Sequence, residues 1–343
     1  MKDMKLTRRQ FSRSVLAGTL ASGLSLSGLS NLFAQSAKPT QKPTDDAILV
    51  GVEHGPIVSN SGSHINPHSN TIENYTTLPP SNTPVSALQG LTVQHLNVRT
   101  LHIKRTVIAV PLLSPSDCIS GVTYLADGTL LVAINPDASS ANGALPPRLL
   151  KINGKEISGI VPVSGLSKDQ GLDSVRLLRS GLLIGMVTKK DGTGPAQVVE
   201  VNPITGAVSF TNPVNLLPPG RRFSALAEAP DGKLYTSVFP NDGTTELWTL
   251  DLTNKTATFL IKLTTASRCS NQTCAGFDHM PGIVSWYHGI QSLIVTPAGQ
   301  LLAQCNLEYI LPDSLYSINV GTGLMTEIVS FPVARAALSQ QAG

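Results

Sequence analysis

One pattern in this chain of 343 residues limits its fold more than any other: a short unit that recurs four times around an aligned glycine. The copies read ISGVTYLADGTLLVAI (119–134), LDSVRLLRSGLLIGMV (172–187), FSALAEAPDGKLYTSV (223–238) and IQSLIVTPAGQLLAQC (290–305), with Gly128, Gly181, Gly232 and Gly299 in register. Three apolar columns agree in every copy. Nine residues before the glycine stand Ile119, Leu172, Phe223 and Ile290; six before it, Val122, Val175, Leu226 and Leu293; two after it, Leu130, Leu183, Leu234 and Leu301. Two apolar runs around a tight turn describe a pair of antiparallel strands, and the glycine supplies the positive φ that such a turn requires.

A further apolar strand ending in Asn or Asp follows each copy: LLKINGK (149–155), VVEVNPITG (198–206), LWTLDLTNK (247–255) and LYSINVGTG (315–323). Ile152, Val201, Leu250 and Ile318 are spaced 49, 49 and 68 residues apart. A four-strand unit recurring near this interval is the pattern of a β-propeller blade. The long last step places an insertion, TTASRCSNQTCAGFDHMPGIVSWY (264–287), between the third and fourth clear blades. Residues 85–113 alternate enough to supply most of one more blade. The expected fold is therefore all-β: a propeller of four-stranded antiparallel blades, five in number, with four or six as alternatives. Strands from both chain ends are expected to share the closing blade, which leaves no edge open to aggregation.

The remaining segments divide as 1–37, 38–84 and 334–343, flanking a propeller at 85–333. Thr7-Arg8-Arg9-Gln10-Phe11, followed by a weakly apolar run rich in Ala, Gly, Ser and Leu, resembles a twin-arginine (Tat) export signal, with Ala34, Ser36 and Ala37 as candidate cleavage points. An uncleaved membrane anchor is the alternative. Export implies a periplasmic or secreted bacterial protein. Residues 38–84, rich in Ser, Thr, Asn, Pro and His, read as an extended polar arm, and 334–343 as a tail.

Charge narrows the partners. The first 37 residues hold five of the 25 basic side chains and one of the 22 acidic ones, so 20 and 21 remain after cleavage. The basic excess belongs to the targeting peptide, and no basic run remains to follow a phosphate backbone or an anionic membrane. A small molecule, a glycan or a protein is the expected partner; nucleic acid and, after cleavage, membrane are not.

The repeat shape, an apolar run, Pro-Asp-Gly-x-Leu-Tyr and later Leu-Tyr-x-Ile-Asn-x-x-Thr-Gly, resembles exported bacterial propellers of the broad group containing NHL-repeat proteins, streptogramin lyases and gluconolactonase-like hydrolases. The likeness covers 116–331, and its motifs, being turn chemistry and core columns, are shared by many propellers of unrelated function. It implies a site at the channel mouth, where the first strands of the blades begin. There stand Asp117, Gln170 with Asp173, Arg221 with Arg222, and His288 with Gln291. The insertion adds Asp278, His279, Trp286 and Tyr287, an aromatic platform beside imidazoles and a carboxylate.

Two functions follow. The first is a binding protein whose channel mouth and insertion recognise a ligand. The second, implied by the resemblance, is a metal-assisted lactonase or lyase in which a divalent cation is held by Asp117 and Asp173 among others and His288 is the general base. The gluconolactonase-like pattern brings acidic residues to the channel from several blades; here corresponding positions carry Arg221 and Arg222, which suit an anion better. His54, His64 and His68 in the polar arm are weaker metal candidates. No Gly-x-Ser-x-Gly elbow, phosphate loop or His-Glu-x-x-His occurs. Of the four cysteines, Cys269 and Cys274 are spaced for a bridge within the insertion, and a Cys118 to Cys305 bridge depends on the blade count.

Overall fold

The computed structural model describes residues 46–55, 62–65, 72–75, 90–110, 113, 117–136, 145–189, 197–209, 221–240, 245–265, 289–306 and 314–339, with backbone alone at 62–65, 72–75, 188, 221–224, 239–240, 265, 289 and 306. They form a five-bladed β-propeller. Blade 1 contains Cys118–Tyr124, Leu130–Asn135, Arg148–Asn153 and Glu156–Pro162; blade 2, Gln170–Leu177, Leu183–Lys189, Gln197–Val201 and Val208–Ser209. Blade 3 contains Arg221–Glu228, Leu234–Pro240, Glu246–Asp251 and Thr256–Lys262; blade 4, Gly289–Val295, Leu301–Asn306, Ser314–Ile318 and Leu324–Ser330, with Thr264–Thr265 added in parallel at its outer edge. Blade 5 is built from both chain ends: Arg335–Leu338 is innermost, followed outward by Ile48–His54, Gly90–Asn97 and Ile103–Ala109.

The aligned columns explain why these stretches become blades. Ile119, Leu172 and Ile290, then Val122, Val175, Leu226 and Leu293, then Leu130, Leu183, Leu234 and Leu301 are all buried. Each blade therefore presents apolar side chains to both neighbours. The core is divided accordingly into five clusters, one at each blade-to-blade junction, and together they close the ring. Burial of roughly 1.5–3 kcal/mol per large aliphatic side chain makes these junctions the main source of stability.

At the turns, Gly128, Gly181, Gly232 and Gly299 have φ of +82°, +83°, +83° and +82°. A Cβ on any of them would meet nothing within 4 Å, so the requirement is conformational. Gly121 differs: its Cβ would lie 2.6 Å from the Val175 backbone nitrogen, and glycine there lets blades 1 and 2 approach.

Two segments expected outside the propeller belong to it. Ile48–His54, read as part of the polar arm, is the second strand of blade 5, and Arg335–Leu338, read as tail, is its first. The physical reason is closure. The inner strand of blade 5 must come from the chain's far end, so no glycine turn joins it to its neighbour and the repeat pattern does not mark it. One irregularity also went unread: the inner strands carry a bulge at aligned positions in blades 1, 3 and 4, between Ile119 and Gly121, Phe223 and Ala225, and Ile290 and Ser292, and slightly further along in blade 2, between Asp173 and Arg176. Such bulges sharpen the twist of the strands around the axis.

Candidate functional site

The blades divide the connections between two faces. On one, which the inner strands leave, every connection is six residues or fewer. On the other, where the inner strands begin, stand the connections 136–147, 210–220 and 266–288. Of the sequence-derived candidates, Asp117, Gln170, Asp173 and Gln291 are described with their side chains, at this strand-start face or just below it.

Asp117, immediately before the inner strand of blade 1, is 1% exposed and accepts a hydrogen bond from Arg148 Nη2 at 2.5 Å. Arg148 opens the third strand of the same blade. His54 ends the second strand of blade 5 beside them. Burial pushes its imidazole below the usual histidine pKa, against a hydrogen bond to the Asp117 backbone and that residue's negative charge, which pull upward. Its Nε2 is buried with no hydrogen-bond partner among the described residues.

Asp173 lies deeper, within the inner strand of blade 2, and its Oδ1 pairs with Arg335 Nη2 at 3.2 Å. Arg335, 3% exposed, reaches from blade 5 across the axis: its Nε donates to Ser120 O at 3.0 Å and its Nη1 to Ala334 O at 2.9 Å. One guanidinium thus links blades 5, 1 and 2. Gln291, in blade 4, accepts from Gln304 Nε2 at 2.6 Å, and the same Nε2 donates to Val333 O at 2.6 Å. Asn135 clamps blade 1 to blade 2 by bonding both the N–H and the C=O of Leu172, each at 3.0 Å.

The structure therefore does not gather Asp117 and Asp173 into one carboxylate cluster. Each is committed to a different guanidinium, and among the described residues no group of three or more His, Cys, Asp and Glu is placed to hold a metal ion. A divalent cation beside either arginine would be repelled by about 4 kcal/mol per unit charge at 4 Å and an effective dielectric near 20. These two carboxylates do not fit the role of metal ligands.

Arg221 and Arg222 open the inner strand of blade 3, with only their backbone described. Asp278, His279, Trp286, Tyr287, His288, Cys269 and Cys274 lie outside the described residues, as does His68; His64 is in the short strand Gly62–Ile65, with its backbone alone described. Cys118 and Cys305 are buried thiols. They belong to blades 1 and 4, and the closing blade stands between those two, so the proposed bridge between them does not form.

Sequence reasoning missed Arg148 and Arg335. Arg148 had a signal: the third strands open on Arg148, Gln197, Glu246 and Ser314, a polar column ahead of an apolar one. Glu246 accepts from Trp248 Nε1 at 2.8 Å, and Ser314 Oγ donates to Glu327 Oε1 at 2.8 Å, so this column caps blades internally. Arg335 carried only one cue, a lone charge in the apolar stretch FPVARAAL.

At the axis the inner strands line a partly open cavity of about 20 Å³. One water requires roughly 10–15 Å³. Among the described residues, this cavity has room for a water-sized group and not for a molecule of metabolite size.

No family model matches the sequence, and no curated protein matches it. Solved structures similar to it include a protein of unknown function from Bacteroides caccae, 12% identical over 86% of this chain and 100% of its own, with a TM-score of 0.44. Another is a calcium-binding protein, regucalcin, from Agrobacterium tumefaciens, 12% identical over 84% of this chain and 81% of its own, with a TM-score of 0.40. A protein from Lactobacillus plantarum is 11% identical over 85% of this chain and 99% of its own, with a TM-score of 0.42.

Proposed function

We propose that this chain is an exported binding protein that recognises a small molecule, a glycan or a protein partner at the strand-start face, without metal-assisted chemistry. One observation carries the reading: the two channel carboxylates that a catalytic divalent cation would need, Asp117 and Asp173, are buried against Arg148 and Arg335. Freeing either would leave a guanidinium buried without its counter-charge, at a cost of about 3–5 kcal/mol. Binding asks less of the protein. It needs a concave or loop-built surface with a few convergent polar groups, and the long connections of this face, with Arg221, Arg222, Gln291 and the insertion's Asp278, Trp286 and His288, supply the residue types.

The test sets the binder against the lactonase or lyase directly. Purified protein is assayed for hydrolysis of glucono-lactone with calcium, manganese or zinc added, and in parallel screened on a glycan array and a panel of sugar acids by thermal shift. Binding without turnover is the expected outcome. In the Arg222→Ala, His288→Ala double variant that binding is lost while the unfolding temperature changes by no more than a few degrees. Metal-dependent lactone turnover would replace the binding reading with the enzymatic one.

A further inference from the structure

The axial cavity is lined from all five inner strands, and its lining is unusual in charge. Arg176 of blade 2 and Arg335 of blade 5 both border it. Arg335 is matched by Asp173 at 3.2 Å. The Nε of Arg176 is buried with no hydrogen-bond partner among the described residues. The opposite charge that acts on it is Glu228, whose Oε2 already accepts the Arg179 backbone N–H at 2.7 Å, while Arg179 itself adds a repelling positive charge. Two cations, Arg176 and Arg335, line the cavity, and the carboxylate of Asp173 is paired with the second of them.

The remaining lining offers donors and irregular backbone. Ser292 Oγ accepts the Ala336 N–H at 2.8 Å, which leaves its hydroxyl hydrogen to be donated. Ser174, at the bulge of blade 2, has φ of +50°, a left-handed conformation that a serine adopts only when its surroundings impose it. A buried guanidinium nitrogen with no acceptor costs more than a satisfied one, and an anion would satisfy it and balance the surplus charge together.

We infer that the axial cavity is a binding site for one small monatomic anion of the chloride type, held by Arg176 with the Ser292 hydroxyl and Arg335 at its border. The volume of about 20 Å³ suits a single ion and excludes phosphate, sulfate or an organic acid. Burial also pushes the Arg176 guanidinium below its ordinary pKa, with Glu228 acting against that, so an anion at this point would keep the group charged. The site would tie the inner strands of blades 2, 4 and 5 at the axis, and it stands independently of what the strand-start face recognises.

Crystals of the full chain grown in sodium bromide, with anomalous data at the bromine edge, test this directly. The expected result is one peak in the axial cavity within hydrogen-bond reach of Arg176. In solution, the unfolding temperature rises by a few degrees when chloride or bromide replaces isethionate at equal ionic strength, and the rise disappears in Arg176→Gln. A cavity holding water alone in bromide crystals overturns the inference. So does a halide-dependent rise of the same size in Arg176→Gln. Because the bromide experiment uses the unaltered protein, it decides the matter even if the variant fails to fold.

Discussion

The two faces of the propeller are built on different terms. The turn face repeats itself. In blades 1 to 4 the inner strand passes to the next through a turn in which the glycine N–H bonds back three residues, Gly128 to Leu125 O at 3.0 Å, Gly181 to Leu178 O at 2.9 Å, Gly232 to Ala229 O at 2.9 Å and Gly299 to Thr296 O at 2.9 Å. The next turn in blades 2 to 4 is tied by a side chain, as Asn202 Oδ1 accepts from Ile204 N, Asp251 Oδ1 from Thr253 N and Asn319 Oδ1 from Gly321 N. The strand-start face repeats nothing: its aligned positions hold Asp117, Gln170, Arg221 and His288, and its connections differ in length from blade to blade. Local chemistry fixes the first face. The second is free to vary because the blades are already held by the first and by the junctions between them.

If that division is right, substitutions should sort by where they fall. The largest expected effect is at the axis. Arg335→Ala removes the counter-charge of buried Asp173 and the donors to Ser120 O and Ala334 O, and should destabilise the fold by about 3–5 kcal/mol, read as the shift of the urea unfolding midpoint. A loss under about 1 kcal/mol would mean that closure does not depend on this residue. Next come the turn glycines. Gly181→Ala meets no atom, yet must hold φ of +83°, and should cost about 1–2 kcal/mol by the same measurement. Equal losses from alanine substitutions in the 266–288 connection would erase the contrast between the faces.

The smallest effect is a dependence on pH. Above about pH 6.5 His54 is neutral in both folded and unfolded chains and contributes nothing to the slope. Below that value the unfolded chain takes up a proton that the buried, lowered His54 does not, so stability falls as the pH drops toward the native pKa. His95, lowered by burial and by Lys104, acts in the same direction. His54→Gln should therefore flatten part of the loss between pH 7.5 and 5.5, and His95→Gln a further part. Unfolding midpoints at the two pH values check this; a steeper loss in either variant contradicts it.

The same division explains what was legible in the sequence. Blades 1 to 4 could be read because a glycine that needs positive φ and apolar columns that must be buried recur at fixed offsets. The closing blade was legible only in its outer part, within 85–113, since its two inner strands, Arg335–Leu338 and Ile48–His54, are far apart in the chain and share no turn. At the site, Asp117 and Asp173 could be picked out as carboxylates at the starts of inner strands. Their partners could not, because Arg148 lies 31 residues from Asp117 and Arg335 lies 162 from Asp173, and no period connects either pair. Pairing across a closed ring is set by the ring and leaves no local trace.

Metal content, measured by elemental mass spectrometry on the purified protein before and after dialysis against a chelator and followed by thermal unfolding, tests the central claim most directly. The account predicts only substoichiometric calcium, magnesium, manganese or zinc, and the same unfolding temperature on both sides of the dialysis. One equivalent of a divalent metal that leaves with the chelator and takes thermal stability with it would contradict the binding reading and return Asp117 and Asp173 to the list of ligands.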